Sequence, residues 1–275
     1  MSEDSIHPSV RDIAHFLEEW APLSSAQSYD NVGLQVGDPT ARVLRGLIAL
    51  DMTPDVLEEA REMRASLIIT HHPLIFRPLQ SVTTEHFSGN LAFGLAASGI
   101  ALYSIHTNLD AAPGGVSFAL GRHLGLVDLD FLEMDSEDTG LGAIGRLERP
   151  EPLEDFLQRV AERLDAHSLR YAGDLHTAVE RIAVCGGAGS EFIPQALAAG
   201  ADAYVTADVT YHRFFDVLDT RGRPRMALVD AGHYETEVLT ERLLQEELSQ
   251  RFAEVEWLRS RTRTSPVRSF VLVSH

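Results

Sequence analysis

The letter K occurs nowhere in the 275 residues, so all 23 basic side chains other than histidine are arginine. Without lysine there is no P-loop phosphate clamp, which excludes a Walker-type nucleotidase. There is also no amine to form a Schiff base, which excludes pyridoxal chemistry and class I aldolase chemistry. One cysteine, Cys185, leaves no internal disulfide and no cysteine-rich zinc cage. No stretch approaches the roughly 20 apolar residues of a membrane helix. The first ten residues, MSEDSIHPSV, carry acids where a secretory signal carries bases, so a cytoplasmic protein is expected. Positive charge is scarce: 41 acids against 23 bases give a net charge of −18. That repels polyanions and weighs against nucleic acid as a partner. Two readings of the arginine-only, acid-rich composition stay open: codon bias in a GC-rich genome, and adaptation to a high-salt cytoplasm.

What is present alternates between strands and helices. Residues 9–20 place Val10, Ile13, Phe16, Leu17 and Trp20 on one helical stripe with Ser9 as cap. VLRGLIAL (43–50) reads as a strand, and Thr53-Pro54 opens a helix. SLIIT (66–70) and IALYSI (100–105) read as strands on either side of a helix around 89–98, and Gly114-Gly115 starts VSFALGRHL. The second half repeats the alternation with GAIGRLE, a helix over 152–165, RIAVC, FIPQALAA, AYVTA, a short helix near 211–218, MALVD, a long helix from Tyr234 to Phe252, and two closing strands, EVEWLR and RSFVLV. The expectation is an α/β protein of two lobes, with largely parallel or mixed sheets flanked by helices and a metal crevice at strand carboxyl ends between the lobes. The acidic, aperiodic stretch 126–140 suggests the boundary, giving lobes 1–128 and 129–275. The C-terminal part is left free to pack back on the first lobe.

Three polar clusters follow three apolar strands: THHP (70–73), HTNLDAAPGG (106–115) and DAGHYETE (230–237). Imidazoles and carboxylates without thiolate suit a divalent metal such as zinc, iron, manganese, cobalt or nickel. His71 and His72 are neighbours in a segment read as extended, so their rings are expected on opposite sides, one for each of two ions. His233 and Glu237, four apart on a helix, share a face. Glu237 can bridge both ions, and Asp110 completes one shell. Two carboxylates against two divalent ions leave surplus positive charge, which favours a hydroxide nucleophile and a small anionic substrate. Glu237, His106 and His212 are the candidate catalytic groups. For His106 two roles stay open: orienting Asp110 or a bound anion, and plain packing. Asp30 and Asn31 read as an Asx turn before Gly33, with a lip of the crevice as the functional alternative. CGGAGS (185–190) reads as a glycine-rich turn, weak evidence for a phosphate cradle, and Cys185 as a small buried residue.

SYDNVGLQVGD (28–38), IITHHPLIF (68–76), YSIHTNLDAAPGGV (103–116), VCGGAGSEF (184–192), DAYVTADVTYH (202–212) and GHYETE (232–237) together resemble the motif set of the YbgI-like, or Nif-three-like, dinuclear metal-binding proteins. Many members of that family carry the name GTP cyclohydrolase I type 2 homologue. The resemblance implies a two-lobed α/β subunit, two divalent ions on His71, His72, Asp110, His233 and Glu237, and a ring-shaped homohexamer. It also implies the short form, lacking an inserted middle domain. Two positions depart from the pattern: Tyr29 stands where the family usually has Trp, and Ala207-Asp208-Val209-Thr210 where it usually ends in Lys. The activity implied is metal-dependent hydrolysis of a phosphoester, nucleotide or purine ring. The alternative is a non-enzymatic protein of metal storage, delivery or regulation.

Overall fold

The structure, a computed structural model, describes residues 7–270. In chain order its elements are α1 (Val10–Trp20), β1 (Gly33–Val36), β2 (Arg45–Ala49), α2 (Pro54–Glu62), β3 (Leu67–Thr70), α3 (Phe87–Ser98), β4 (Ala101–Ser104), α4 (Thr107–Asp110), α5 (Val116–Leu124), β5 (Val127–Met134), β6 (Gly140–Pro152), α6 (Leu153–Leu164), β7 (Arg170–Ala172), β8 (Ala178–Ala188), α7 (Ile193–Ala198), β9 (Ala203–Ala207), β10 (Ala227–Asp230), α8 (His233–Glu237), α9 (Thr240–Arg251) and β11 (Glu256–Arg259). Single 3-10 turns lie at Leu23–Ser25, Ser190–Phe192 and Tyr211–Phe215. The chain groups into two compact units, 1–112 with 240–265, and 113–239 with 266–275.

The first unit holds a five-stranded sheet ordered β1-β4-β3-β2-β11. β11, β2, β3 and β4 run parallel, and β1 closes the edge antiparallel to β4. Strands of a parallel sheet are covered on both faces, so they tolerate unbroken apolar runs. Leu67, Ile68 and Ile69 of β3 are accordingly fully buried. Ser9 caps α1 in a reciprocal capping box with Asp12, and Val10, Ile13 and Leu17 form its buried stripe. Thr53 accepts from the Val56 amide and Pro54 sits at the first helical position of α2. What positions the site is the pairing of β3 with β4: Thr70 lies opposite Ser104, so both strands end side by side.

The second unit holds a six-stranded sheet ordered β5-β6-β8-β9-β10-β7. β8, β9 and β10 are parallel, while β5 and β6 on one side and β7 on the other are antiparallel. Its core joins the faces of α5 and α6 (Leu120, Leu124, Phe156, Val160) to Val184, Val205 and Val229 of the central strands.

Several sequence expectations need correction. The boundary expected at 128 falls instead between Ala112 and Pro113. Residues 127–134 are a strand paired with β6. Val127-Asp128-Leu129-Asp130-Phe131 in fact alternates apolar and acidic residues, and its apolar side packs inward, with Phe131 edge-on to Phe118 at 4.8 Å. β1, Gly33–Val36, follows Asp30-Asn31 and is not expected from the sequence. The long helix from Tyr234 breaks after Glu237 and resumes at Thr240. No Gly or Pro marks that break. It falls where the chain passes from one unit to the other: Leu239 packs on the core of the second unit, and Leu244 and Leu248 are buried on α9 of the first. Of the closing strand expected over 268–273, residues 268–270 have no regular structure and 271–273 lie outside the described residues.

Candidate metal centre

In the first unit the chain leaves β3 through a bend at His71-His72 and leaves β4 through Ile105-His106 into α4. Because the segment bends, the two histidine rings do not point to opposite sides. Their centroids are 5.2 Å apart, and His106 lies 5.1 and 5.4 Å from them. One ligand atom from each of His71, His72 and His106 falls within 4.8 Å of the others. Asp110 Oδ1 is 3.7 Å from His71 Nε2. The structure therefore brings His71, His72, Asp110 and His106 together. With both rings on one side of the bend, the His71-His72 pair does not by itself call for two ions.

Each ring is anchored through Nδ1. His71 Nδ1 is 2.8 Å from the Ile105 carbonyl, which can only accept, so the hydrogen sits on Nδ1 and the neutral ring has its lone pair on Nε2. His72 Nδ1 meets Asp51 Oδ1 at 2.7 Å, and His106 Nδ1 meets Asp30 Oδ2 at 2.9 Å. The same carboxylates are held in turn. Thr264 Oγ1 donates to Asp51 Oδ2. The Thr107 amide and hydroxyl both donate to Asp30, while the Asn31 amide donates to its other oxygen. Burial works against the charge on Asp30, but hydrogen bonds from His106 and Thr107 outweigh it and hold the carboxyl well below the usual carboxylate range. An oxygen acceptor that fixes the far nitrogen of an imidazole is the usual support for a metal-ligating histidine.

The second unit repeats the device. His233 Nδ1 lies 2.7 Å from Asp208 Oδ2, and its Nε2 lies 2.9 Å from Glu237 Oε2 one helical turn on. Glu237 is almost fully buried, and the glycine run after β8 makes room for it. At Gly187 (φ +61°) a Cβ would collide with the Glu237 carboxylate, and at Gly186 it would press on Val116 and approach Glu237 Cγ. The Gly187 amide donates to Thr236 Oγ1, and Thr206 Oγ1 donates back to the Gly187 carbonyl. CGGAGS is thus packed against the helix that carries His233 and Glu237. Asp208 sits at φ +53°, a left-handed conformation that costs a non-glycine residue about 1 kcal/mol or more. Asp230 receives the Val209 amide, the Gly232 amide and the Arg170 guanidinium, tying the Asp208 loop to the His233 loop.

Residues 8–266 match the family described as Duf34/NIF3 (NGG1p interacting factor 3). The chain belongs to the Duf34/NIF3 family. Similar relatives named GTP cyclohydrolase 1 type 2 homolog include one from Clostridium perfringens, 34% identical over 94% of this chain and 98% of its own. Another, from Streptomyces coelicolor, is 37% identical over 84% and 82%. The fold is similar to a Staphylococcus aureus hypothetical protein (TM-score 0.88, 29% identity, 95% of this chain and 99% of that one). It is also similar to a Bacillus cereus protein related to NIF3 (TM-score 0.85, 27%, 97% and 99%). This Duf34/NIF3 protein shares with them a mixed α/β architecture of two sheets flanked by helices, and its imidazole and carboxylate groups can bind a metal. No helix among the described residues is long and apolar enough to cross a membrane.

Of the other candidates, His212 is exposed on the turn Tyr211–Phe215, its ring against Tyr211 at 5.3 Å. Cys185 is buried, its thiol directed at the Gly186 carbonyl. Asp30 does not form the expected Asx turn: its side chain accepts the amide of the next residue, Asn31, rather than one two residues on, and its other oxygen anchors His106. Sequence reading missed Asp51 altogether and saw Asp208 only as part of a variant motif. A search for acids one strand away from each histidine cluster would have found Asp51, which lies just beyond β2 after Leu50.

Proposed function

We propose that this Duf34/NIF3 protein is a dinuclear, metal-dependent hydrolase of a small anionic substrate, a phosphoester, nucleotide or purine ring. His71, His72, Asp110, His233 and Glu237 hold two divalent ions, with Glu237 shared between them, and the subunits assemble as a homohexamer. The observation that carries this reading is the repeated Nδ1 anchor: His71, His72, His106 and His233 are each held on that side by a carbonyl or carboxylate at 2.7–2.9 Å. Four histidines oriented alike are costly to arrange for packing alone. The donor set is nitrogen and oxygen, which suits zinc, iron, manganese, cobalt or nickel. When bound, the ions supply concentrated positive charge for an anionic substrate and for charge developing on its oxygens. His106, fixed by Asp30, presents Nε2 as the group that takes or gives a proton, and His212 is the further candidate catalytic group. The name carried by the relatives supports the purine ring as one substrate class.

The test is elemental analysis with an activity screen on phosphoester and nucleotide panels, comparing wild type with Glu237→Gln, Glu237→Ala and His71→Ala. Two metal equivalents per chain, both lost in Glu237→Ala but mainly one weakened in His71→Ala, with turnover abolished in Glu237→Gln, is the expected result. A single equivalent held by both histidines refutes the dinuclear centre. Full metal content without turnover on any panel leaves a metal carrier.

A further inference from the structure

We propose that Tyr29 and Phe76 form a ring-binding rim beside His106, so that the ligand of this centre carries a planar aromatic or heteroaromatic group. This rests on the metal-centre reading above and narrows its substrate class. Large aromatic side chains gain most from burial, yet Tyr29 is 64% and Phe76 40% exposed. They are not scattered. Their centroids are 6.2 Å apart at a tilt of 56°, and the Phe76 ring stands edge-on to His106 at 6.5 Å. His106 is the ring adjacent to both His71 and His72. Two exposed ring surfaces thus adjoin the imidazole cluster.

The backbone beneath both rings is locked in a closed circuit. Asn31 Nδ2 donates to the Ile75 carbonyl (2.5 Å), the Ile75 amide donates to Gln35 Oε1 (2.9 Å), and Gln35 Nε2 donates back to the Asn31 carbonyl (2.7 Å). Asp30, between Tyr29 and Asn31, is buried and bound to His106 and Thr107. The backbone under the rim is therefore set before a ligand arrives, and little backbone freedom is lost on binding. Ring pairs attract at centroid separations of about 4.5–7 Å in offset or edge-to-face geometry. A short alkyl group gains only the burial of its small apolar area on such a rim, whereas a conjugated ring buries more and adds ring–ring attraction.

The experiment uses the full chain, metal-replete, with phenyl phosphate and ethyl phosphate, which share a charged head and differ in the ring. Calorimetry reads both affinities, and elemental analysis reads metal content. Wild type is expected to bind phenyl phosphate roughly 10-fold more tightly than ethyl phosphate. Tyr29→Ala and Phe76→Ala each shrink that ratio and the double variant brings it near one, with ethyl phosphate affinity and metal content unchanged. Tyr29→Trp and Phe76→Tyr keep the ratio. A ratio near one in wild type, or a ratio unchanged in the double variant, overturns the rim. So does a double variant whose oligomer size changes while the ratio stays, since the rings then pack between copies. If neither phosphate binds the metal-replete protein, the anionic-substrate reading falls, and phenol alone decides the rim. Saturation-transfer signals from phenol that vanish in the double variant support it, and equal signals in both proteins overturn it.

Discussion

Replacing Glu241 with glutamine removes a carboxyl that the fold holds under pressure to stay neutral. Glu241 lies on α9 with 7% of its surface exposed, and one oxygen accepts the Leu50 amide at 2.9 Å. Burial, opposed by that hydrogen bond and by Arg259, and reinforced by the neighbouring charges of Asp51 and Glu59, raises its pKa from 4.5 to about 7. Below pH 4.5 the carboxyl is protonated whether the chain is folded or unfolded. Between 4.5 and 7 the unfolded chain releases the proton while the folded chain keeps it, so stability falls as pH rises. Above 7 the penalty is constant. At 1.36 kcal/mol per unit it amounts to about 3 kcal/mol. Glutamine keeps an acceptor for Leu50 and has no charge to bury. Relative to wild type, Glu241→Gln should therefore gain about 2–3 kcal/mol between pH 5 and pH 8. Urea unfolding at both pH values, on chelator-treated protein so that bound metal does not add its own stabilisation, measures it. Parallel pH dependences for the two proteins would refute the reasoning.

Gly187→Ala forces an alanine to φ +61° and its Cβ onto the Glu237 carboxylate. Metal affinity should fall about 10-fold or more, read by metal titration on folded protein. Asp208→Ala removes the acceptor at His233 Nδ1 and should cost roughly 10- to 100-fold in metal affinity with the circular dichroism spectrum unchanged. The 41 acids repel one another at low salt, and the Debye length shrinks from about 10 Å at 0.1 M to about 3 Å at 1 M. If the composition is a salt adaptation, assembly by light scattering and the melting temperature should both rise across that range; codon bias alone predicts little change.

By itself the sequence determined the element types wherever one period ran long enough. The 3.6-residue stripe of α1, the apolar runs of β2 to β4 and the Gly-Gly start of α5 needed no tertiary information, because their own side chains carry the pattern. It also singled out His71, His72, Asp110, His233 and Glu237 as candidate metal ligands, because they lie in polar clusters of imidazole and carboxylate that follow apolar strands. Tertiary structure alone decided the rest. The anchors Asp51, Asp30 and Asp208 are 21, 76 and 25 residues from the histidines they hold, and no local pattern links them. Parallel pairing of β2, β3 and β4 sets their carboxyl ends side by side, and only that register makes Asp51 and His106 neighbours of the His71-His72 bend. The break between α8 and α9 likewise has no breaker in its sequence. It arises because Leu239 packs against the core of the second unit while Leu244 is buried in the first, and a continuous helix carries no signal of which unit each turn will meet.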